Sequence, residues 1–214
     1  MDEIEEIKNI YNRIKRNIEQ RIDQFKEVWK RGNDFELFSE FSFCLLTPQS
    51  KARVCWNAIL ELLKDDLLFC GSVDDIRSRL VGVRFKNNKA RYIVEAREKF
   101  FKDGKFVIKK IIEEEKDIFK VRDFLVKNVK GMGYKEASHF LRNIGFGDNL
   151  SILDRHILRN LYNFGIIKKK IDGLTRRKYL KIEENMRKFS LKLGIPLAHL
   201  DLVFWFKETG EIFK

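Results

Sequence analysis

The stretch KGMGYKEASHFLRNIG (residues 130–145) decides the fold of this chain. It follows a short amphipathic segment, VRDFLVKNV (121–129), and it opens with Gly131 and Gly133 in a turn of the form x-G-x-G. Both glycines are expected to permit a positive φ and a close approach to a phosphate, with the amides of the next helix pointing at it. The pattern predicts a helix-hairpin-helix that binds the DNA backbone without reading sequence. The alternative is an ordinary packing unit in which the glycines only cap helices.

Outward from this hairpin, the spacing of apolar residues is helical. From Ile4 to Trp29 they recur mostly every three or four positions, which predicts one long amphipathic helix. Further helices are predicted up to Thr47-Pro48, over Ala52–Leu63, near Val73–Leu80, and over 89–100, 106–115 and 117–129. No segment alternates with period two over a useful length. The chain is therefore predicted to be all-α.

The charge balance indicates a polyanionic partner. The chain carries 44 Lys and Arg against 32 Asp and Glu, a formal charge of +12, and cations placed on phosphates release condensed counterions. A merely basic soluble protein is the alternative. The charged N-terminus is unlike a signal peptide and no apolar run approaches the roughly 18 residues of a membrane span. We therefore expect a cytoplasmic protein with no membrane partner.

The cysteines predict no metal centre. Cys44, Cys55 and Cys70 are spaced unlike any zinc or iron–sulfur ligand run, and their odd number argues against a disulfide framework. Each lies in an apolar stretch, so buried free thiols in a reducing compartment are expected. No metal and no cofactor is predicted.

Lys135 and Asp154 form the candidate catalytic pair. Lys135 is predicted to begin the second hairpin helix, and Asp154 the helix DRHILRNLY (154–162), so both are expected at helix N-termini facing one cleft. The helix dipole disfavours an ammonium there but stabilises a carboxylate. A neutral amine can attack C1′ of a sugar, and a carboxylate can stabilise the oxocarbenium-like charge as the base leaves. Singly, each has a commoner explanation, as a solvated lysine and a plain helix cap; the pair and its spacing predict a lyase that acts on a DNA sugar.

At this point the sequence resembles a known family. KGMGYKEASHFLRN followed by LDRHILRNL (within 130–161) is similar to the signature of helix-hairpin-helix glycosylases. The local sequence, including LDLVFWFKETGEIFK (200–214), most resembles the archaeal-type (type 2) 8-oxoguanine DNA glycosylase/AP lyases. The resemblance runs from about Phe35 to Lys214. It implies that Lys135 is the Schiff-base lysine and Asp154 the catalytic aspartate.

The resemblance also implies two loops that probe DNA. CLLTPQSKA (44–52) is similar to the loop that fills the gap left by a flipped base, with Gln49 as the filler; a helix cap is the alternative role for Gln49. GVRFKNNKARYI (82–93) is similar to the loop that wedges the duplex, which makes Phe85 the candidate intercalating residue and Lys89 a candidate DNA-binding residue.

Three further residues are implied near the DNA and the lesion. His156 matches a histidine near the DNA backbone in related enzymes. Lys214 matches a terminal lysine implicated in recognising the oxidised base, and Trp205 is a second candidate for base recognition. For Trp205 a place in the hydrophobic core is the alternative. The iron–sulfur cysteines of endonuclease III-like relatives are absent, so no cluster is implied.

Together these inferences predict two helical subdomains of the helix-hairpin-helix glycosylase fold with the active-site cleft between them. One subdomain is 30–125, with the gap-filling and wedge loops; the other is 1–29 with 126–214, with the hairpin, the catalytic pair and the tail. The predicted activity is excision of 8-oxoguanine from duplex DNA through a lysine Schiff base and β-elimination, by a monomer. Two alternatives stay open: the same chemistry on another oxidised base, and a non-enzymatic helix-hairpin-helix DNA-binding protein.

Overall fold

A computed structural model describes residues 3–169, 171 and 173–214, which are mostly helical. The helices are α1 (Glu3–Arg31), α2 (Asp34–Leu46), α3 (Ala52–Lys64), α4 (Leu67–Cys70), α5 (Val73–Arg79), α6 (Lys86–Phe100), α7 (Val107–Glu114), α8 (Ile118–Asn128), α9 (Tyr134–Asn143), α10 (Arg155–Asn163), α11 (Arg176–Leu193) and α12 (Leu197–Thr209). Between α6 and α7 two-residue strands, β1 (Phe101–Lys102) and β2 (Lys105–Phe106), pair antiparallel. The all-α prediction is confirmed.

Most helix ends follow the local signals in the sequence. α2 ends at Leu46, two residues before Pro48, as expected from the loss of a backbone donor at proline. Ser72 caps α5 through the amide of Asp75, and the Asp75 carboxylate accepts from the amide of Ser72 in return. The prediction was wrong for α6, which begins at Lys86 and not at position 89, and it missed α4 altogether.

The chain divides into two compact units, Met1–Glu27 with Leu141–Lys214, and Val28–Phe140. The predicted division into 30–125 and 1–29 with 126–214 stays a prediction, and positions 1, 2, 170 and 172 of its second part lie outside the described residues. The hairpin turn and Lys135 belong to the unit Val28–Phe140, and Asp154 to the other.

Aromatic rings fill the core of the unit Val28–Phe140. α2 is buried along most of its length because almost every residue from Leu37 to Leu46 is apolar or small. Phe38 and Phe41 each meet the ring of Phe106 edge-on at 5.4 Å, and Phe41 meets Phe140 of α9 at 5.3 Å. Such offset ring contacts add to the free energy gained from burial of the rings themselves. They fix α9, which carries Lys135, against α2.

The other unit is built around α10, α11 and α12. Its core contains fully buried side chains from each of these helices, including Leu161, Met186 and Leu200. The residues that directly follow α11 and α12 are Gly194 and Gly210, and both adopt positive φ. No single described helix is long and apolar enough to cross a membrane; α11 and α12 pass that test of length and composition only as a pair bent by 92°.

The three cysteines are free, but only two of them are buried. Cys44 and Cys55 are fully buried, whereas Cys70 is exposed, so the expectation of a buried thiol was wrong for Cys70. Cys70 is the last residue of the short helix α4, and its thiol donates to the Asp66 carbonyl at 3.1 Å. Burial raises the pKa of Cys55 to about 11, so this thiol stays protonated at neutral pH.

Candidate active site

The hairpin joins α8 to α9 through residues 129–133. Gly131 has φ +82, and a Cβ there would lie 2.2 Å from Cδ2 of Tyr92, so the turn packs directly on a ring of α6. A buried guanidinium also joins the two hairpin helices: Arg122 of α8 donates to the Ser138 hydroxyl of α9 at 3.0 Å. The hairpin is thus fixed to its own unit by packing and not only by its turn residues.

Gly133 differs from the prediction. Its φ lies outside the positive region that Gly131 adopts, and its amide donates to Glu136 Oε2 at 3.1 Å. Gly133 therefore caps α9 and its carbonyl accepts the first helical hydrogen bond, from Ala137. The Gly133 amide is thus already bound within the protein, and the assignment of Gly133 as a residue that approaches DNA stays a prediction.

Lys135 is the second residue of α9, not the first as predicted. Its side chain is 20% exposed, and Nζ donates to the Thr47 hydroxyl at 2.9 Å. The Thr47 hydroxyl donates its only proton to the Cys44 carbonyl, also at 2.9 Å. Thr47 therefore accepts from the lysine, which fixes the direction of Nζ. Glu136 Oε1 lies 3.6 Å from the same amine.

Asp154 is the N-cap of α10, as the sequence predicted. Its Oδ1 accepts from the amides of His156 and Ile157, at 2.8 and 2.9 Å. No hydrogen bond from a described residue reaches Oδ2. One oxygen therefore holds the carboxylate at the start of α10.

The extended segment before Asp154 is held by buried polar side chains of α11 and α12. Ser151 donates from its amide to Glu183 at 2.9 Å, and Ile152 donates to Asp201 at 3.2 Å. Tyr179 donates its hydroxyl to the Ser151 carbonyl at 2.5 Å. Buried backbone groups outside regular structure must find such partners. These contacts set the position at which α10 begins, and with it the position of the Asp154 carboxylate.

His156 lies among aromatic and charged neighbours in the same unit. Its ring meets Trp205 edge-on at 5.3 Å, and its Nδ1 lies 3.8 Å from Glu208 Oε2. Burial holds the pKa of His156 below 6.5, although Asp154 acts in the opposite direction. Trp205 is half-buried, and its indole N–H is buried without an acceptor among the described residues. Lys214 is half-buried too.

Gln49 and Phe85, the predicted gap filler and wedge, share an unusual backbone conformation. Both are exposed, and both have positive φ, 53° for Gln49 and 58° for Phe85. A bulky residue in this left-handed region is rare and costs free energy, so its neighbours must hold it there. Phe85 stands at the start of α6, with the guanidinium of Arg84 5.6 Å from its ring centre.

Lys89 is buried, although the sequence predicted a residue that contacts DNA. It was predicted as a DNA-binding residue, yet it is only 3% exposed. Its ammonium donates to the carbonyls of Leu46 and Pro48, both at 2.7 Å, and to the Ser50 hydroxyl at 3.1 Å. All three donors are thereby used inside the protein, so a direct contact of Lys89 with DNA is a wrong prediction.

Residues 18–195 match the profile of a protein family described as 8-oxoguanine DNA glycosylase. The chain belongs to the 8-oxoguanine DNA glycosylase family. This confirms the resemblance stated from the residues of the hairpin and of α10, and with it the helix-hairpin-helix glycosylase fold class.

Relatives that align with this chain over nearly their whole length are named 8-oxoguanine DNA glycosylase/AP lyase. A protein of Fusobacterium nucleatum named 8-oxoguanine DNA glycosylase/AP lyase is 47% identical over 209 residues, which are 98% of this chain and 96% of the relative. A protein of Methanocaldococcus jannaschii with that name is 39% identical over an alignment of 218 positions, which covers 99% of this chain and 97% of the relative. The similarity thus extends over nearly the full length of both relatives.

Solved structures of family members have the same fold. The M. jannaschii 8-oxoguanine glycosylase/lyase, crystallised with a 15mer DNA that contains 8-oxoguanine, matches with a TM-score of 0.90 at 39% identity and covers 100% of both chains. The 8-oxoguanine DNA glycosylase of Thermotoga maritima matches with a TM-score of 0.88 at 35% identity, covering 99% of this chain and 98% of that one.

Sequence reasoning about this glycosylase missed the residues that hold its candidate catalytic groups. Thr47 was seen only as a helix end before Pro48, and Glu136 only as a helix-forming residue. A signal for Glu136 was present, because a glutamate three residues after a helix start is half of a capping box. No local signal was available for Thr47, whose partner Lys135 is 88 positions away.

Proposed function

We propose that this chain is a bifunctional 8-oxoguanine DNA glycosylase/AP lyase with Lys135 as its nucleophile. The observation that carries the proposal is the Lys135 amine, oriented by the Thr47 hydroxyl, in a chain that belongs to this family. The net charge of +12 supports duplex DNA as the partner.

The chemistry follows from an amine meeting C1′ of the damaged nucleotide. The neutral Lys135 amine attacks C1′, the bond from C1′ to the base breaks, and the oxidised base leaves with the bonding electrons and is protonated. The amine loses a proton and the sugar ring opens, which leaves an iminium between Nζ and C1′. Removal of a C2′ proton then breaks the bond from C3′ to oxygen, and the 3′ phosphate leaves by β-elimination. Water finally attacks C1′ and frees the lysine.

Asp154 supplies the negative charge that this reaction requires. As the base departs, positive charge develops on the sugar ring, and an ionised carboxylate stabilises it. Two backbone amides of α10 hold Oδ1 in place. Oδ2 is the oxygen left to face the sugar.

The other predicted residues take their roles around the flipped nucleotide. Gln49 fills the gap in the duplex and Phe85 wedges the stack, because both are exposed on loops whose backbone is already fixed. Trp205 offers a buried indole N–H that has no acceptor in the described part of the chain, which suits a hydrogen bond to the base. Lys214 contributes to recognition of the oxidised base, and His156 lies near the DNA backbone. The enzyme acts as a monomer in the cytoplasm; sedimentation with and without DNA tests the first of these.

Borohydride trapping on duplex DNA with one 8-oxoguanine tests the nucleophile. Wild-type protein is expected to form a covalent adduct, and Lys135→Gln to form none. Lys130→Gln is the matched control, because Lys130 lies five residues before Lys135 in the hairpin turn, is well exposed and pairs with Glu95. An adduct that survives in Lys135→Gln excludes the assigned nucleophile.

A panel of lesion duplexes tests the substrate. Wild-type protein is expected to release 8-oxoguanine faster than thymine glycol or undamaged guanine. Lys214→Ala is expected to reduce the ratio between the rate for 8-oxoguanine and the rates for the other two bases. Faster release of thymine glycol by the wild-type protein overturns the substrate while leaving the nucleophile in place. Salt-dependent binding without release of any base indicates a non-enzymatic DNA-binding protein instead.

A further inference from the structure

The buried ammonium of Lys89 lies at the C-terminal end of α2. α2 has no basic residue in its own last turn, and the last carbonyls of a helix lack helical partners. Lys89, which comes from the first turn of α6, donates to the Leu46 carbonyl and to the Pro48 carbonyl just beyond it. A cation at a helix C-terminus also interacts favourably with the helix dipole. The lysine of one helix therefore caps the end of another.

This arrangement needs a reason, because burial of a charged amine is unfavourable. Lys89 is 3% exposed, and burial is the main cause that lowers its pKa to about 8. Its described partners are carbonyl and hydroxyl oxygens, with no carboxylate among them. A methionine would fill the same space without the cost of burying a charge. What the ammonium adds is a set of directed bonds to the turn at 46–50.

The same turn is joined to the wedge loop through Ser50. The Ser50 hydroxyl accepts from Lys89 at 3.1 Å and from the amide of Arg84 at 3.0 Å. Gln49 stands between Pro48 and Ser50, to both of which Lys89 donates, and Phe85 directly follows Arg84. Both Gln49 and Phe85 have positive φ and exposed side chains. One buried amine thus links the backbones that present these two side chains.

We propose that Lys89 is a positioning residue that presents Gln49 and Phe85 to the duplex as one unit, acting through the turn at 46–50 and Ser50. The proposal rests on the proposed function, since it takes these two side chains to be the ones that probe DNA. Lys89 itself does not touch DNA. Its role is specific to substrates in which a base must be extruded and the gap filled.

Single-turnover excision with two substrates tests the proposal. One is duplex DNA with 8-oxoguanine; the other is single-stranded DNA with a preformed abasic site, where β-elimination needs no extrusion and no filled gap. Lys89→Met removes the donors at similar length and is expected to slow duplex excision about tenfold to a hundredfold. β-Elimination on the single strand is expected to change less than about threefold. When Lys89→Met binds the duplex, a 2-aminopurine placed opposite the lesion is expected not to show the fluorescence change that wild-type protein causes.

Two further variants separate positioning from loss of charge and from loss of fold. Lys99→Met removes an exposed lysine from the last turn of the same helix, outside the wedge loop, and is the matched control for charge. Direct phosphate contact by Lys89 would lower the slope of log K against log salt by about 1 in Lys89→Met; positioning leaves that slope unchanged. Ser50→Ala, which removes only the shared acceptor, is expected to shift duplex excision in the same direction by a smaller factor.

Three results overturn the proposal. They are equal losses on both substrates in a folded Lys89→Met protein, a lowered salt slope in that variant, and wild-type duplex excision in both Lys89→Met and Ser50→Ala. Wild-type protein that releases no 8-oxoguanine contradicts the proposed function instead, so the two failures are distinguishable.

Discussion

The amine of Lys135 and the hydroxyl of Thr47 lie 2.9 Å apart although 88 positions separate them in the sequence. Thr47 follows the end of α2, and Lys135 lies in the first turn of α9. Because the Thr47 hydroxyl already donates to the Cys44 carbonyl, it can only accept from the lysine. This contact is a means of aiming a nucleophile from outside its own helix.

Replacement of Thr47 tests whether its hydroxyl orients the Lys135 amine. Thr47→Val keeps the shape but removes the acceptor, and we expect the rate of borohydride-trappable adduct formation to fall about tenfold because the amine is no longer aimed. Thr47→Ser retains the hydroxyl and is expected to keep most of the rate. Equal rates in wild type and Thr47→Val would show that the contact does not orient the amine.

Because Asp154 uses one oxygen as a helix cap, its effect on stability can be measured separately from its proposed role in catalysis. Asp154→Asn keeps an oxygen that can accept from the amides of α10, so its free energy of unfolding is expected to stay within about 0.5 kcal/mol of wild type. Its excision of 8-oxoguanine is expected to fall at least about a hundredfold, because the charge is gone. Asp154→Ala is expected to lose the same activity and about 1 kcal/mol of stability as well. Urea unfolding and single-turnover excision measure the two effects; near-wild-type excision by Asp154→Asn would contradict the assigned role.

The two glycines of the hairpin are expected to respond very differently to substitution. Gly131→Ala places a Cβ 2.2 Å from the ring of Tyr92 at a positive φ, and a loss of about 2–4 kcal/mol is expected. Gly133→Ala meets only the end of the Glu136 side chain, at 3.0 Å, and a loss below about 1 kcal/mol is expected. Thermal or urea unfolding of both variants checks the order, and equal losses would contradict it.

Acidification is expected to destabilise the protein through two histidines. Burial is the main cause that holds the pKa of both His156 and His199 below 6.5, the ordinary value that applies in the unfolded chain. Below pH 6.5 the unfolded chain therefore takes up protons before the folded protein does, and stability is lost as pH falls through that window and is fully present above it.

Urea midpoints at pH 7.5 and 5.5 measure this loss. His156→Phe and His199→Phe are each expected to lose less stability than wild type over that interval, because each lacks one of the two groups. His199 Nδ1 and the Tyr11 hydroxyl are 3.0 Å apart, so His199→Phe is compared with Tyr11→Phe as a control for loss of that hydrogen bond. An identical change in wild type and in both histidine variants would exclude this origin.

The sequence predicted what depends on neighbouring residues and missed what depends on distant ones. The periodicity of α1, the end of α2 before Pro48 and the Asp154 cap are local, and the structure has all three. Lys89 is the opposite case. In sequence it is one more cation in a basic helix, and only the fold brings the carbonyls of Leu46 and Pro48 to it.

Gly133 and Cys70 were misjudged for a related reason. A glycine in a turn was taken to need positive φ, but the competing demand of α9 for a capped first turn decided its conformation. An apolar neighbourhood was taken to bury Cys70, but the one-turn helix α4 directs that residue outward. The β1–β2 pair is too short to leave a period-two pattern.

The left-handed backbone of Gln49 and Phe85 has a consequence for the search for damage. Because both residues adopt this conformation without DNA, the entropy lost in ordering them belongs to folding and is not lost again at each base pair visited. Inspection of an undamaged pair then demands little rearrangement and can be brief. Under the roles proposed for Gln49 and Phe85, an enzyme that must survey a vast excess of normal bases loses no further time in ordering these two residues at each base pair.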